Sequence, residues 1–190
     1  LLLVALYIGW VLLLAVFRPA AMPPGRADDR EAPAGAEVFI AEIGINHNGE
    51  LDTAPLIEHL LHEHKRLYLP VLHPFRHGRL LFCHWDGRRG LVRNRYGIRE
   101  PRCTSRTLAS SVRRLDVIIV PLVAFDASLN RIGMGGGYYD RTFGHARSFR
   151  RWKRPLLIGV AHSFQQVEKI MPSAWDVRLD VVITEEGIHV

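Results

Sequence analysis

From Val38 onward, short apolar runs alternate with amphipathic ones, a pattern that predicts strands alternating with helices. "VFIAEIG" (38–44) is strand-like. "DTAPLIEHLLHEH" (52–64) places Leu56, Ile57, Leu60 and Leu61 on one helical face, with Asp52 and Thr53 as candidate caps and Pro55 in the first turn. "RLYLPVL" (66–72) and "RLLFCHW" (79–85) predict strands. "LDVIIVPLVAF" (115–125) is a continuous apolar run, short enough for a central strand covered on both faces. "YYDRTFGHA" (138–146) opens a helix, and "PLLIGVA", "SFQQVEKI" and "LDVVIT" complete a strand, helix, strand series. The expected fold is α/β: an open, mainly parallel or mixed sheet with helices on both faces, three-layer and Rossmann-like. In such sheets ligands bind beyond the carboxyl ends of the strands.

The first residues break this pattern. Leu1 to Phe17 carry no charge, and a helix of that length rises about 25 Å, at the short edge of a bilayer core of about 30 Å. Arg18, Arg26 and Arg30 follow the run, so insertion would leave the rest of the chain on the cytoplasmic side. A signal-like segment, a buried core helix and a mispredicted gene start are the alternatives. "RPAAMPPGRADDREAPAGAE" then reads as a linker. The division is therefore an apolar segment and linker over 1–36 and one α/β domain over 37–190. The expected location is the cytoplasm, or the cytoplasmic face of a membrane if residues 1–17 insert.

The 190 residues suffice for one domain with a real core. A formal charge of +6 favours anionic partners without choosing among them. The arginines between Arg88 and Arg114 and between Arg141 and Arg154 form no aromatic-interleaved run or nucleic-acid-binding motif, so a solvated basic face is the better reading. Cys83 and Cys103 form neither a CxxC pair nor a metal spacing, and free thiols are expected. His59 and His62 share a helix face but lack the HExxH order of zinc proteases, so a polar face reaching solvent is preferred.

The candidate chemistry gathers in "RIGMGGGYYDRTF" (131–143), between the apolar run ending at Phe125 and the helix opening at Tyr138. Gly135, Gly136 and Gly137 can turn several amides toward one anion and let a phosphate approach the backbone. Arg131 could add a two-pronged contact, and Asp140 could hold a magnesium ion bridging phosphate oxygens. The stretch is neither a Walker loop nor a GxGxxG fingerprint. A glycine-rich turn that merely joins strand to helix is the alternative.

"PLVAFDASLNRIGMGGGYYDRTF" closely resembles the signature of the 5-formyltetrahydrofolate cyclo-ligases, also called methenyltetrahydrofolate synthetases. "GELDTAPLIEHL", "KRLYLPVLHPF", "GRLLF", "LVRNRYGIREP" and "WDVRLDVVITEEG" resemble that family in its order, from about Gly49 to the end. The resemblance implies phosphorylation of the formyl oxygen of 5-formyltetrahydrofolate by ATP, followed by ring closure to 5,10-methenyltetrahydrofolate. It implies ATP contacts from Arg131, Ile132, Gly133, Met134, Gly135, Gly136, Gly137, Tyr138 and Tyr139. It also implies folate contacts from Ile45, Glu50 and Met134 to Tyr138, magnesium at Asp140 and Asp176, and a catalytic set of Arg131, Tyr138 and Asp140. Read as residues alone, Glu50 and Asp52 could cap the following helix, Asp176 could be a turn residue after Pro172, and Tyr138 and Tyr139 could be core aromatics with one wet end.

Two features depart from that family. Its basic first helix, which contributes ATP contacts, is replaced here by the apolar run and linker; a catalytically impaired relative that binds nucleotide or folate is the second reading this supports. "VFIAEIGINHNG" resembles the opening strand of sialic acid synthases, whose barrel needs about 250 residues. That chemistry is not transferred, but Asn46, His47 and Asn48 would alter the wall beside Glu50.

Overall fold

The structure, a computed structural model, describes residues 37–40, 53–108, 115–144 and 155–190. The apolar segment and linker, and the stretch carrying Ile45, Asn46, His47, Asn48, Glu50 and Asp52, lie outside the described residues. Eleven strands are described: β1 Glu37–Ile40, β2 Arg66–Leu72, β3 Leu80–Trp85, β4 Leu91–Arg93, β5 Arg99–Pro101, β6 Val117–Val120, β7 Ala124–Phe125, β8 Arg131–Ile132, β9 Leu156–Val160, β10 Val181–Thr184 and β11 Gly187–His189. The helices are α1, Ala54–His62, and α2, Tyr138–Phe143, with a 3-10 turn at Ser163–Gln165.

Seven strands make one sheet in the order β11-β10-β9-β6-β1-β2-β3. The five inner strands pair in parallel. The edge strands β3 and β11 pair antiparallel with their neighbours, so the sheet is mixed, as expected.

Because successive side chains of a strand point to opposite faces, the apolar strands feed two cores. Leu67, Leu69, Val117, Ile119, Ile158, Val160 and Ile183 pack with Leu56, Ile57 and Leu60 of α1. Tyr68, Ile118, Val120, Leu157 and Val182 face the other way, toward Phe125, Leu129, Phe143 and Leu179. Helix α1 thus covers one face, and α2 with the connecting loops covers the other. Pro55 stands in the first turn of α1, where its missing N–H costs nothing, while Thr53 occupies the cap position without a side-chain capping bond.

The structure corrects two expectations. Residues 115–125 are not one strand: β6 ends at Val120, and Ala124–Phe125 leave the sheet to pair with Arg131–Ile132. Pro121 has no N–H for a ladder, and the carbonyls of Leu122 and Val123 instead accept bonds from the Gln165 side chain. Residues 163–170 are not a helix beyond the single 3-10 turn. Their backbone donors go elsewhere, Val167 to the Phe125 carbonyl and Ile170 to the Asp126 carboxylate, and tertiary bonds override the helical pattern. The β4–β5 hairpin lies in "LVRNRYGIREP", a stretch to which the apolar pattern had assigned no element.

Candidate active site

The loop that carries the glycines is built on a buried carboxylate. Asp126, 2% exposed, accepts bonds from the amides of Ser128, Asn130 and Ile170 and from the Asn130 side chain. Burial pushes its carboxyl up, yet these bonds outweigh burial and hold it below the usual carboxylate range. They also close the turn in which Leu129 takes a left-handed conformation, so that β8 returns against β7.

From β8 the chain crosses the glycines in the open. Gly133 to Gly136 are exposed, and Gly135 and Gly137 have φ of +79° and +58°. Side-chain-bearing residues rarely adopt that backbone, which is why glycine stands at these two positions. Ile132 and Met134 are exposed apolar residues on the same stretch.

Helix α2 then sorts its two tyrosines. Tyr139 is half-buried and stacks on Phe143, which in turn stacks on Phe82. Tyr138 faces out, its hydroxyl 2.8 Å from the Tyr96 hydroxyl and 3.5 Å from an Arg95 guanidinium nitrogen. The Tyr96 bond, with Arg95 adding to it, draws the Tyr138 phenol below its ordinary value.

Asp140 follows Tyr139 in the helix and is partly covered. Its Oδ1 accepts from Arg131 Nη2 at 2.9 Å and from the Val177 amide at 3.0 Å. Arg131 also donates to the Val177 carbonyl, and its side chain is 5% exposed. Arg131 therefore points inward and locks β8, α2 and the 173–177 turn together; it does not project across the open side of the glycines. Asp176 sits in that turn, its Oδ2 accepting from the Ser173 amide at 2.7 Å.

The bond from Val177 to Asp140 brings the two acids assigned to magnesium onto neighbouring parts of the chain. The bonds described for Asp140 fall on Oδ1 and those for Asp176 on Oδ2. No group of three or more metal-binding side chains occurs among the described residues. Magnesium carried by phosphates commonly takes only one or two protein carboxylates, so this donor set fits such an ion. Ile45 and Glu50, expected to contact folate, lie outside the described residues.

Several residues at the site were not singled out in the sequence. Arg95 and Tyr96, at the tip of the β4–β5 hairpin, meet Tyr138. Arg141 donates to the carbonyls of Gly78 and Gly136, and Thr142 accepts from the Leu80 amide. Arg141 and Thr142 lie within the glycine block itself, and "LVRNRYGIREP" and "GRLLF" accompany that block in order; nothing in their spacing reveals the contacts.

Comparison with known proteins gives consistent matches. The sequence profile of the 5-formyltetrahydrofolate cyclo-ligase family matches residues 38–185. A 5-formyltetrahydrofolate cyclo-ligase of Escherichia coli (strain K12) is 47% identical over 144 residues, 76% of either chain. One from Haemophilus influenzae is 40% identical over 139 residues, covering 72% of this chain and 71% of that protein. The NMR structure of Aquifex aeolicus 5,10-methenyltetrahydrofolate synthetase superposes with a TM-score of 0.62 at 30% identity, over 82% of this chain and 71% of the other. A 5,10-methenyltetrahydrofolate synthetase from Mycoplasma pneumoniae, 21% identical with a TM-score of 0.55, covers 91% of this chain and 80% of its own, and shares the fold.

Proposed function

This chain belongs to the 5-formyltetrahydrofolate cyclo-ligase family, a family of enzymes, and from that premise we propose that it closes 5-formyltetrahydrofolate to 5,10-methenyltetrahydrofolate with ATP spent to activate the formyl oxygen. An amide-like oxygen is a poor leaving group. Transfer of the γ-phosphoryl group to it, with ADP departing, turns it into a phosphate ester. The folate N10 then attacks the activated carbon, the carbon–oxygen bond breaks, phosphate leaves with the formyl oxygen, and N10 loses its proton.

The observation that carries this reading is the exposed glycine loop held between β8 and α2 by the Arg131–Asp140–Val177 contacts. Fixed donors beside a transferring phosphoryl group cost no reorganisation during reaction, which is what this step needs. The amides from Gly133 to Gly137 would meet the ATP phosphates, with Arg131 acting on the loop through Asp140 and Val177. Tyr138, its phenol held below its ordinary value by Tyr96 and Arg95, would stand as a hydrogen-bonding group at the folate side. Asp140 and Asp176 would hold magnesium, which would supply positive charge against the phosphates. Ile45 and Glu50 remain the proposed folate contacts, and the cytoplasm the proposed setting.

Among the described residues no helix is long and apolar enough to cross a membrane. Ultraviolet absorbance of the purified chain with 5-formyltetrahydrofolate, ATP and a magnesium salt tests the reading. The methenyl product should appear only when ATP is present. Tight folate or nucleotide binding without product from folded protein would instead support a catalytically impaired relative.

A further inference from the structure

We infer that Arg141 is a positioning residue that sets the direction in which the Gly137 amide points, an inference that rests on the glycine loop being the phosphate site. The Arg141 guanidinium donates from Nε to the Gly78 carbonyl at 3.1 Å and from Nη2 to the Gly136 carbonyl. It also lies 5.9 Å from the centre of the Tyr138 ring. One side chain thus joins the β2–β3 turn, 63 residues away in sequence, to the glycine loop.

The consequence follows from peptide geometry. The Gly136 carbonyl and the Gly137 N–H belong to one peptide unit, and in a trans peptide, the only kind present among the described residues, they point in opposite directions. A guanidinium that holds the carbonyl on its own side therefore turns the N–H to the opposite side. An anion approaching the loop from there would meet a donor already aimed. Without the guanidinium, a peptide flanked by glycines on both sides has the freedom to rotate.

Two glycines make room for this arrangement. A Cβ at Gly78 would lie 2.2 Å from Arg141 Nε, and one at Gly137 would lie 2.9 Å from Nη1. Gly78 is buried and has φ +73°. Thr142 fixes the base of the same connection, accepting from the Leu80 amide at 3.1 Å and donating to the Tyr138 carbonyl at 2.6 Å. Lysine could not replace the arginine, because a single ammonium lacks the planar fork that reaches two carbonyls at once.

The test uses the full chain and two readouts. Hydrogen–deuterium exchange of the free protein over residues 133–137 should rise in R141M and R141K. The KM for ATP should rise about tenfold or more in both, and by more than the KM for 5-formyltetrahydrofolate. G78A should reproduce these effects by displacing the guanidinium, and G78A/R141M should be no worse in KM for ATP than R141M. Should R141M fail to fold, R141K and G78A carry the same comparison. Unchanged loop exchange and unchanged KM for ATP in folded variants would overturn the inference. Product formed by the wild type without ATP would instead overturn the phosphate reading, while the exchange data would still report on the strut itself.

Discussion

At the scale of single residues, Asp140 has two separable duties. Asp140→Ala leaves the buried Arg131 guanidinium without its carboxylate and should cost about 3 kcal/mol of stability. Asp140→Asn retains an oxygen that accepts from Arg131 and Val177, so its loss in denaturant unfolding should be smaller, about 1 kcal/mol. If the carboxylate also serves magnesium and phosphate, the asparagine variant should still lose about a hundredfold or more in turnover. Near-normal turnover in a folded Asp140→Asn would leave Asp140 as a strut only. Asp126 makes a cleaner stability prediction, because it lies in the core beneath the loop. Its folded value sits below the unfolded one, so its contribution is full above about pH 4 and fades as pH falls through the folded value. Asp126→Asn should therefore unfold at lower denaturant near neutrality, by about 2 kcal/mol, and show a flatter stability profile below about pH 4 than the parent chain. The glycines, Arg131 and the two acids stood out in the sequence as candidate chemistry. That Arg131 turns inward was not, because its partner Val177 lies 46 residues away. Asp126 was read only as part of a signature, since nothing in "FDASLN" shows that its carboxylate collects bonds from the amide of Ile170, 44 residues on.

At the scale of elements, apolar periodicity identified what a strand or helix needs locally, and failed where another part of the chain claims the same backbone donors. Helix α1, with its stripe of Leu56, Ile57 and Leu60, and the inner strands β2, β9 and β10 emerged as expected. The segment 163–170 carries a helical pattern but gives the Val167 and Ile170 amides and the Gln165 side chain to residues 122–126, where the chain has left β6. Gly159 of β9 marks how tightly these connections lie on the sheet. A Cβ there would stand 2.7 Å from both Leu122 Cδ2 and Leu179 Cδ1. Gly159→Val should lower the thermal midpoint, with a loss of about 3 kcal/mol, by overpacking the face that supports the loop. An unchanged midpoint would mean that Leu122 and Leu179 can move without cost.

At the scale of the whole molecule, the mixed sheet buries two apolar faces and brings the connections after β6 and β9 to the region of the glycines. The alternation of apolar residues was enough to expect three layers, because central parallel strands must be covered on both sides. The approach of the β4–β5 hairpin to Tyr138 was not visible, since its exposed tip has no apolar stripe to place it. On the proposed function, a phosphate-binding loop serves a ring closure because phosphate would be the leaving group that opens the formyl carbon to attack. The most direct test of that claim follows the oxygen itself. With 5-formyltetrahydrofolate labelled with heavy oxygen in the formyl group, mass spectrometry of the released inorganic phosphate should show one heavy oxygen for each methenyl product formed. Unlabelled phosphate, with the heavy oxygen recovered in water, would contradict phosphorylation of the formyl oxygen and separate ATP hydrolysis from ring closure.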